Sequence, residues 1–394
     1  MRSFNRRHFL RLSGATALPA LLPAGQLLAA DAVMHEEEKQ PVVQFYGDGE
    51  SLQPMQYVTR LQEIGRVNPI ERDIYGNGGA VAALEKKFVT ITGKEKAIFM
   101  PTGTMANQLA IAVLSGNNTK VLLQETSHVY RDEADAAQSV HNKRLIPLAK
   151  GETYFTAAQL EEMLDYLDRE EVFKSGLGCV SIENPVRRTD GRMVPLGEIK
   201  KISALCRERN IPLHLDGARI HLASAWSGIP VKEYAAYFDS VYISLYKYLG
   251  AASGAVLCGS EKMIGQMPHY IKVYGGTMYA NWSNAAMALD KLNQIDDKLA
   301  ATVKRANELA AQLSKLPGVS LKTLDGGTNI YELQLAAGID GVKMGAMLAT
   351  DYQVRIPKPN ANNRSLLSMN ETLLYRDTDS LVKSFREAVS KSGR

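Results

Sequence analysis

Cysteine is scarce in this chain: Cys179, Cys206 and Cys258 are the three in 394 residues. They are too few and too scattered for a disulfide framework. Cys179 and Cys258 lie in apolar runs, where a thiol behaves as a small core hydrophobe. No H-E-x-x-H and no Cys/His cluster occurs, so no metal centre is expected. No G-x-x-x-x-G-K-[ST] occurs, nor a G-x-G-x-x-G behind a strand, which leaves nucleotide-binding readings without support. Internal repeats and low-complexity tracts are absent as well.

A sequence-wide basic field is also missing. The formal net charge is +4, but residues 1–32 hold Arg2, Arg6, Arg7 and Arg11 against Asp31, a net +3, leaving +1 for the rest. No nucleic-acid partner is expected of such a surface. The same N-terminal stretch lacks an unbroken apolar run, because Pro19 and Pro23 interrupt a weakly hydrophobic segment; a spanning helix is not expected. A basic start, an apolar middle and an A-x-A ending at Ala30 and Ala32 describe a secretory signal. Arg6 and Arg7 followed by Phe9 and Leu10 resemble a twin-arginine export signal. The expectation is a signal over 1–32, a periplasmic protein, and no stable membrane insertion after signal removal. Folding before export fits the shortage of disulfides and allows a cofactor to be loaded in the cytoplasm.

The remainder has an ordinary globular composition, 45% hydrophobic and 22% charged, with length enough for a large core and a second domain. We divide it into an N-terminal arm at 33–60, loose and polar over 33–45, a large domain at 61–290 and a small C-terminal domain at 291–394. Strands are expected at Ala97–Met100, Gly178–Ile182, Leu213–Asp216, Ser240–Leu245 and Gly254–Cys258. Helical spacing covers Met105–Leu114 and the face Leu196, Ile199, Ile202, Leu205. One long helix, or two, is expected over Asn281–Leu316. Strands alternating with helices predict an α/β fold with a mainly parallel sheet.

Ligands of such sheets bind beyond the carboxyl ends of the strands, and four features fall there. P-T-G-T-M-A-N-Q joins a strand to a helix: Gly103 permits close backbone approach, Thr104 offers a hydroxyl, and the helix start favours an anion. A turn with an N-cap would look the same. Asp216 ends L-H-L-D-G-A-R, a costly place for an unpaired carboxylate; His214 points to the same face, and Arg219 is a candidate ion-pair partner. His128 stands in E-T-S-H-V-Y-R-D-E-A, where a surface or core histidine is the plain alternative. Lys247, in S-L-Y-K-Y-L-G-A-A-S-G, is the only charged side chain between Asp239 and Glu261. An ammonium in apolar surroundings tends to lose its proton and becomes a nucleophile.

Together these residues suit pyridoxal 5'-phosphate: an amine for a Schiff base, an anion site for the phosphate, a carboxylate for the ring nitrogen and an imidazole to stack. From about Gly47 onward the chain resembles the threonine aldolase and β-eliminating lyase family of pyridoxal-phosphate enzymes. The resemblance is carried by R-D-I-Y-G, P-T-G-T-M-A-N-Q-L-A-I, H-V-Y-R-D-E-A, I-E-N, L-H-L-D-G-A-R-I, S-L-Y-K-Y-L-G-A and Y-G-G-T-M. It implies the aspartate aminotransferase-type fold (fold type I), with a seven-stranded sheet in the large domain and a small α/β domain. It further implies that Lys247 carries the cofactor, Asp216 pairs with its ring nitrogen, His128 stacks on the ring, and Gly103 and Thr104 hold the phosphate. Arg219 would lie near the cofactor and the substrate carboxylate, and Arg364, in N-N-R-S-L-L-S, would clamp that carboxylate. A homodimer or homotetramer is implied by analogy.

The chain departs from the family at several points. S-K-G-L-G reads Y-K-Y-L-G, which makes Tyr246 and Tyr248 candidate substrate contacts. The histidine after E-N-T is absent, since Val186 follows Glu183-Asn184-Pro185. The arginine of G-G-G-M-R is Tyr279, and a serine-aspartate pair reads Gly47-Asp48. The expected activity is cleavage of a β-hydroxy-α-amino acid to glycine and an aldehyde. β-Elimination, transamination, or an idle cofactor-binding or interaction protein are the alternatives.

Overall fold

Short apolar runs build the sheets of the computed structural model, which describes residues 40–393; the signal reading at 1–32 lies outside them. In chain order the strands are β1 (Val43–Gln44), β2 (Lys96–Met100), β3 (Lys120–Gln124), β4 (Arg144–Leu148), β5 (Leu177–Glu183) and β6 (Leu213–Asp216). They continue as β7 (Ser240–Ser244), β8 (Ala255–Gly259), β9 (Val319–Thr323), β10 (Ile330–Leu335), β11 (Val354–Arg355) and β12 (Arg364–Ser368). The central sheet has the order β2-β8-β7-β6-β5-β3-β4, and β8 alone runs against the rest. Its inner strands β3, β7 and β8 are buried at every residue, as expected of a sheet covered on both faces. Alternate side chains feed the two faces: Val241 and Ile243 join one apolar cluster and Tyr242 another. Cys179, Cys206 and Cys258 are buried, and burial pushes each thiol up to about 12, which makes them inert core residues.

A second sheet, antiparallel in the order β12-β10-β9, has its own core with Leu309, Leu333, Leu367 and Phe385. Along β10 only Tyr331, Leu333 and Leu335 are buried, the alternation of a half-covered strand. Residues 40–45 correct the expectation of a loose arm. β1 pairs in parallel with β11, and Phe45 is fully buried, edge-on to Phe385 at 5.9 Å. The acidic run before them masks a period-two pattern, Val43 and Phe45 inward, that is long enough to anchor the chain. The long C-terminal helical pattern is two helices, Trp282–Leu292 and Ile295–Leu313, separated where Gln294 leaves helical geometry at φ −128° and ψ −2°. β4 contains Pro147 and is tolerated because it is an edge strand.

His214 and His221 are buried, and burial lowers both to about 4. In the unfolded chain each binds a proton near pH 6.5, so between those values protons favour unfolding. Stability is full above about pH 6.5 and falls as the pH drops towards 4, by up to roughly 1.4 kcal/mol per pH unit for each histidine. Denaturant titrations at pH 7.5, 6 and 5 should register that loss. Among the described residues neither ring nitrogen of His221 has a partner, so His221→Leu should remove its share of the acid sensitivity; an unchanged profile would contradict the assignment.

Candidate active site

The parallel strands bring Asp216, His128, Lys247 and Gly103 to one edge of the sheet, because each follows or ends a strand there. Asp216 is buried at the tip of β6. Its Oδ2 accepts from Asn107 Nδ2 at 3.0 Å and its Oδ1 from the Ala218 amide at 3.1 Å. Asn107 Oδ1 takes His214 Nε2 at 3.0 Å, and His214 Nδ1 meets Ser240 Oγ at 2.7 Å. His214 is thereby a neutral link that donates from Nε2 and holds Asn107 in the one orientation that aims its amide at Asp216. Among the described residues every hydrogen-bond donor to this buried carboxyl is neutral.

Two more carboxyls lie close by. Glu133 accepts from Asn107 Nδ2 at 2.8 Å, and burial followed by the field of Asp216 raises its pKa well above the ordinary range. Glu183, at the end of β5, is raised by the same two causes. It accepts the backbone amides of His128 at 2.7 Å and Arg187 at 2.9 Å, and so ties two loops to the strand tip. His128 Nδ1 is buried 3.3 Å from Asp132 Oδ2, and its Nε2 lies 4.0 Å from Glu133 Oε1; burial lowers its pKa. Lys247 is lowered by burial first and by Arg219 second. Its ammonium sits 5.7 Å from the Tyr246 ring centroid, and among the described residues it has no ion pair.

Gly103 opens the helix Gly103–Ser115 behind the N-cap Thr102, whose hydroxyl accepts from the Met105 amide at 3.1 Å. A Cβ on Gly103 would lie 2.0 Å from the Tyr242 hydroxyl. The glycine thus lets a buried tyrosine close against the helix start, and the amides of Gly103 and Thr104 remain open to an anion.

Two expectations are corrected here. Arg219 does not pair with Asp216; its Nε and Nη2 hold Asp48 at 2.6 and 2.8 Å. Arg364 is not at the site. It starts β12, is half-exposed, and pairs with Glu332 at 2.6 Å across the small sheet. The β12 side chains that do reach the cavity holding Arg219 are Leu366 and Ser368. The N-N-R spacing places the arginine too early on the strand, and a sequence cannot show which residue of β12 meets the other sheet.

The two tyrosines beside Lys247 part company. Tyr246 is exposed and borders a cavity of about 720 Å3 with Lys247, Tyr46 and Asp48. Tyr248 turns inward to a cavity of about 280 Å3 that also meets Arg187, Arg219 and Asp48, and its hydroxyl accepts from Asn329 Nδ2 at 3.0 Å. Tyr279, where the family has an arginine, packs on Tyr75 at 5.3 Å with Arg72 over its ring. Asn107, Glu133 and Glu183 were overlooked in the sequence although they stand inside the quoted motifs, because an amide or acid carries no chemistry until its partners are known.

These groups fit pyridoxal phosphate: a buried carboxylate with only neutral donors, an amine without an ion pair among the described residues, a half-buried imidazole and an open helix start. The architecture and this set of residues put the chain in the fold type I class. Residues 67–336 match the β-eliminating lyase family, and the chain belongs to it. It is 32% identical over 287 residues to the low-specificity L-threonine aldolase of Candida albicans, covering 72% of this chain and 75% of that protein. It is 31% identical over 275 residues to an alanine racemase of Cochliobolus carbonum, covering 67% and 69%. A threonine aldolase structure from Leishmania major superposes with a TM-score of 0.68 at 19% identity, covering 89% of this chain and 99% of that one, a likeness of fold.

Gly103→Ala should therefore cost about 2 kcal/mol or more through overpacking against Tyr242. Tyr242→Phe in the same chain should recover only part of it, because the ring carbon Cζ at 2.5 Å remains in the way. Thermal melts of the single and double variants check this.

Proposed function

We propose that the protein is a pyridoxal-phosphate-dependent lyase that cleaves β-hydroxy-α-amino acids of the threonine type to glycine and an aldehyde. The observation that carries this reading is the conjunction of an unpaired amine, Lys247, with a buried carboxylate, Asp216, whose hydrogen-bond donors are all neutral. When bound, pyridoxal phosphate supplies an electron sink for the pair left on Cα as the Cα–Cβ bond breaks.

The chain's own residues do the rest. Lys247 offers an amine whose pKa is lowered by burial, so more of it is neutral and nucleophilic at a given pH than a free lysine would be. Asp216 keeps the ring nitrogen protonated, and the Asn107–His214–Ser240 chain keeps Asp216 in place. The amides of Gly103 and Thr104 hold the phosphate at the helix start. His128 would stack on the ring and take the β-hydroxyl proton at Nε2, since its Nδ1 is buried and lies 3.3 Å from Asp132 Oδ2. A base must be unprotonated to act, and burial keeps His128 so to lower pH than a free imidazole. Val186 stands where the family has a second imidazole, which leaves this proton to His128.

Two further readings accompany the activity. A second copy of the chain would cover the larger cavity, whose rim carries the exposed Tyr46, Val58 and Tyr246, giving a homodimer or homotetramer. The Arg6-Arg7 motif supports export to the periplasm. Among the described residues no helix is long and apolar enough to cross a membrane.

Reconstituted protein should be yellow, and borohydride should fix the cofactor onto Lys247, as mapped by peptide mass; Lys247→Ala should lose both the colour and the turnover. Incubation with threonine, phenylserine and serine should release glycine and an aldehyde. Pyruvate with ammonia would instead establish elimination, racemised product would align the chain with the alanine racemase, and no turnover would make it a binding protein. The acid limb of kcat/KM should lie below pH 6.5 and should vanish from the residual activity of His128→Gln.

A further inference from the structure

With Arg364 committed to Glu332, no arginine reaches the smaller cavity from β12. Arg219 is present there, but Asp48 holds its Nε and Nη2 in a bidentate pair. Displacing Asp48 would leave a half-buried carboxylate without its partner, which is unfavourable. The other guanidinium on that cavity belongs to Arg187. Its backbone amide is fixed by Glu183, the carboxyl that also fixes the His128 amide, so the two residues are registered to one another at the strand tips.

The Arg187 side chain itself is loosely held. It is 54% exposed, and its single side-chain contact among the described residues is Nη1 to Asp132 Oδ2 at 3.4 Å. Both oxygens of Asp132 are already taken by Arg188, at 3.0 and 2.5 Å. An exposed, long contact of this kind contributes little, so the fork of Arg187 is open. The carboxylates that border the same cavity are engaged elsewhere: Asp48 with Arg219, and Asp190 with Arg192 at 3.6 Å.

We propose that Arg187 binds the α-carboxylate of the amino-acid substrate, the part that Arg364 is not placed to play. The inference rests on the amino-acid substrate proposed above. A guanidinium can meet a carboxylate with two parallel hydrogen bonds, which a lysine cannot reproduce.

Glycine is the discriminating probe, since it has an amine and a carboxylate but no side chain. It is titrated calorimetrically into the cofactor-loaded protein beside methylamine, which lacks the carboxylate. Arg187→Met should weaken glycine about thirtyfold, the range of a charge-assisted pair, and leave methylamine unchanged. Arg187→Lys should fall between, and Arg364→Ala should bind glycine as the wild type does. Matching melting temperatures will establish that the variants are folded. An equal loss for glycine and methylamine, no loss for either, or a loss in Arg364→Ala equal to that in Arg187→Met would overturn the proposal. Because binding is read without turnover, an absence of aldol products would count against the proposed reaction and leave the Arg187 result to stand by itself.

Discussion

A buried negative charge at the tip of β6 is the constraint on which the rest of the site depends. Asp216 is surrounded by neutral donors, and its field together with burial drives Glu133 and Glu183 towards their protonated forms. Three carboxyls thus crowd one strand tip, and two of them are driven towards the neutral form. The cluster is stable because Asn107, His214 and Ser240 satisfy each other's remaining hydrogen-bonding capacity in a single chain of contacts. Lys247 and Arg219 flank that charge, and their mutual repulsion adds to burial in keeping the lysine's proton loosely bound.

How much of this was legible in the sequence depended on whether a residue's role is local. β6 was read at its true limits because L-H-L-D is bounded by Pro212 and Gly217 and ends in a carboxylate. Lys247 announced itself because nothing around it is charged. Asn107 did not, since its meaning comes from His214, 107 residues away. Arg364 was misread for the same reason in reverse. Its motif was present, but β12 pairs with β10 so that Arg364 lies opposite Gln334 at the far end of the ladder, and that register is set by tertiary contacts. β1 was hidden by the acidic residues before it, although Val43 and Phe45 alternate correctly.

The site divides into a part that follows its family and a part that does not. Lys247, Asp216, His128 and the helix start at Gly103 and Thr104 conform. Gly47, Val186, Tyr246, Tyr248 and Tyr279 depart, and three of them, Gly47, Tyr246 and Tyr248, meet on the cavities that flank the lysine. An aldolase and an alanine racemase stand at nearly the same distance from this chain, 32% and 31% identity. Such a split fits a scaffold in which the bond broken at Cα is chosen by what surrounds the substrate rather than by what holds the cofactor.

Glu183 makes that division workable. It grips its two loops by their backbone amides alone, at His128 and Arg187. A main-chain N–H is the same whatever side chain follows it, so this joint is blind to sequence. The side chains that follow those amides are free to change while the loop keeps its place over the strand tip. New specificities can then be sampled one side chain at a time, without the fold having to be renegotiated at each step.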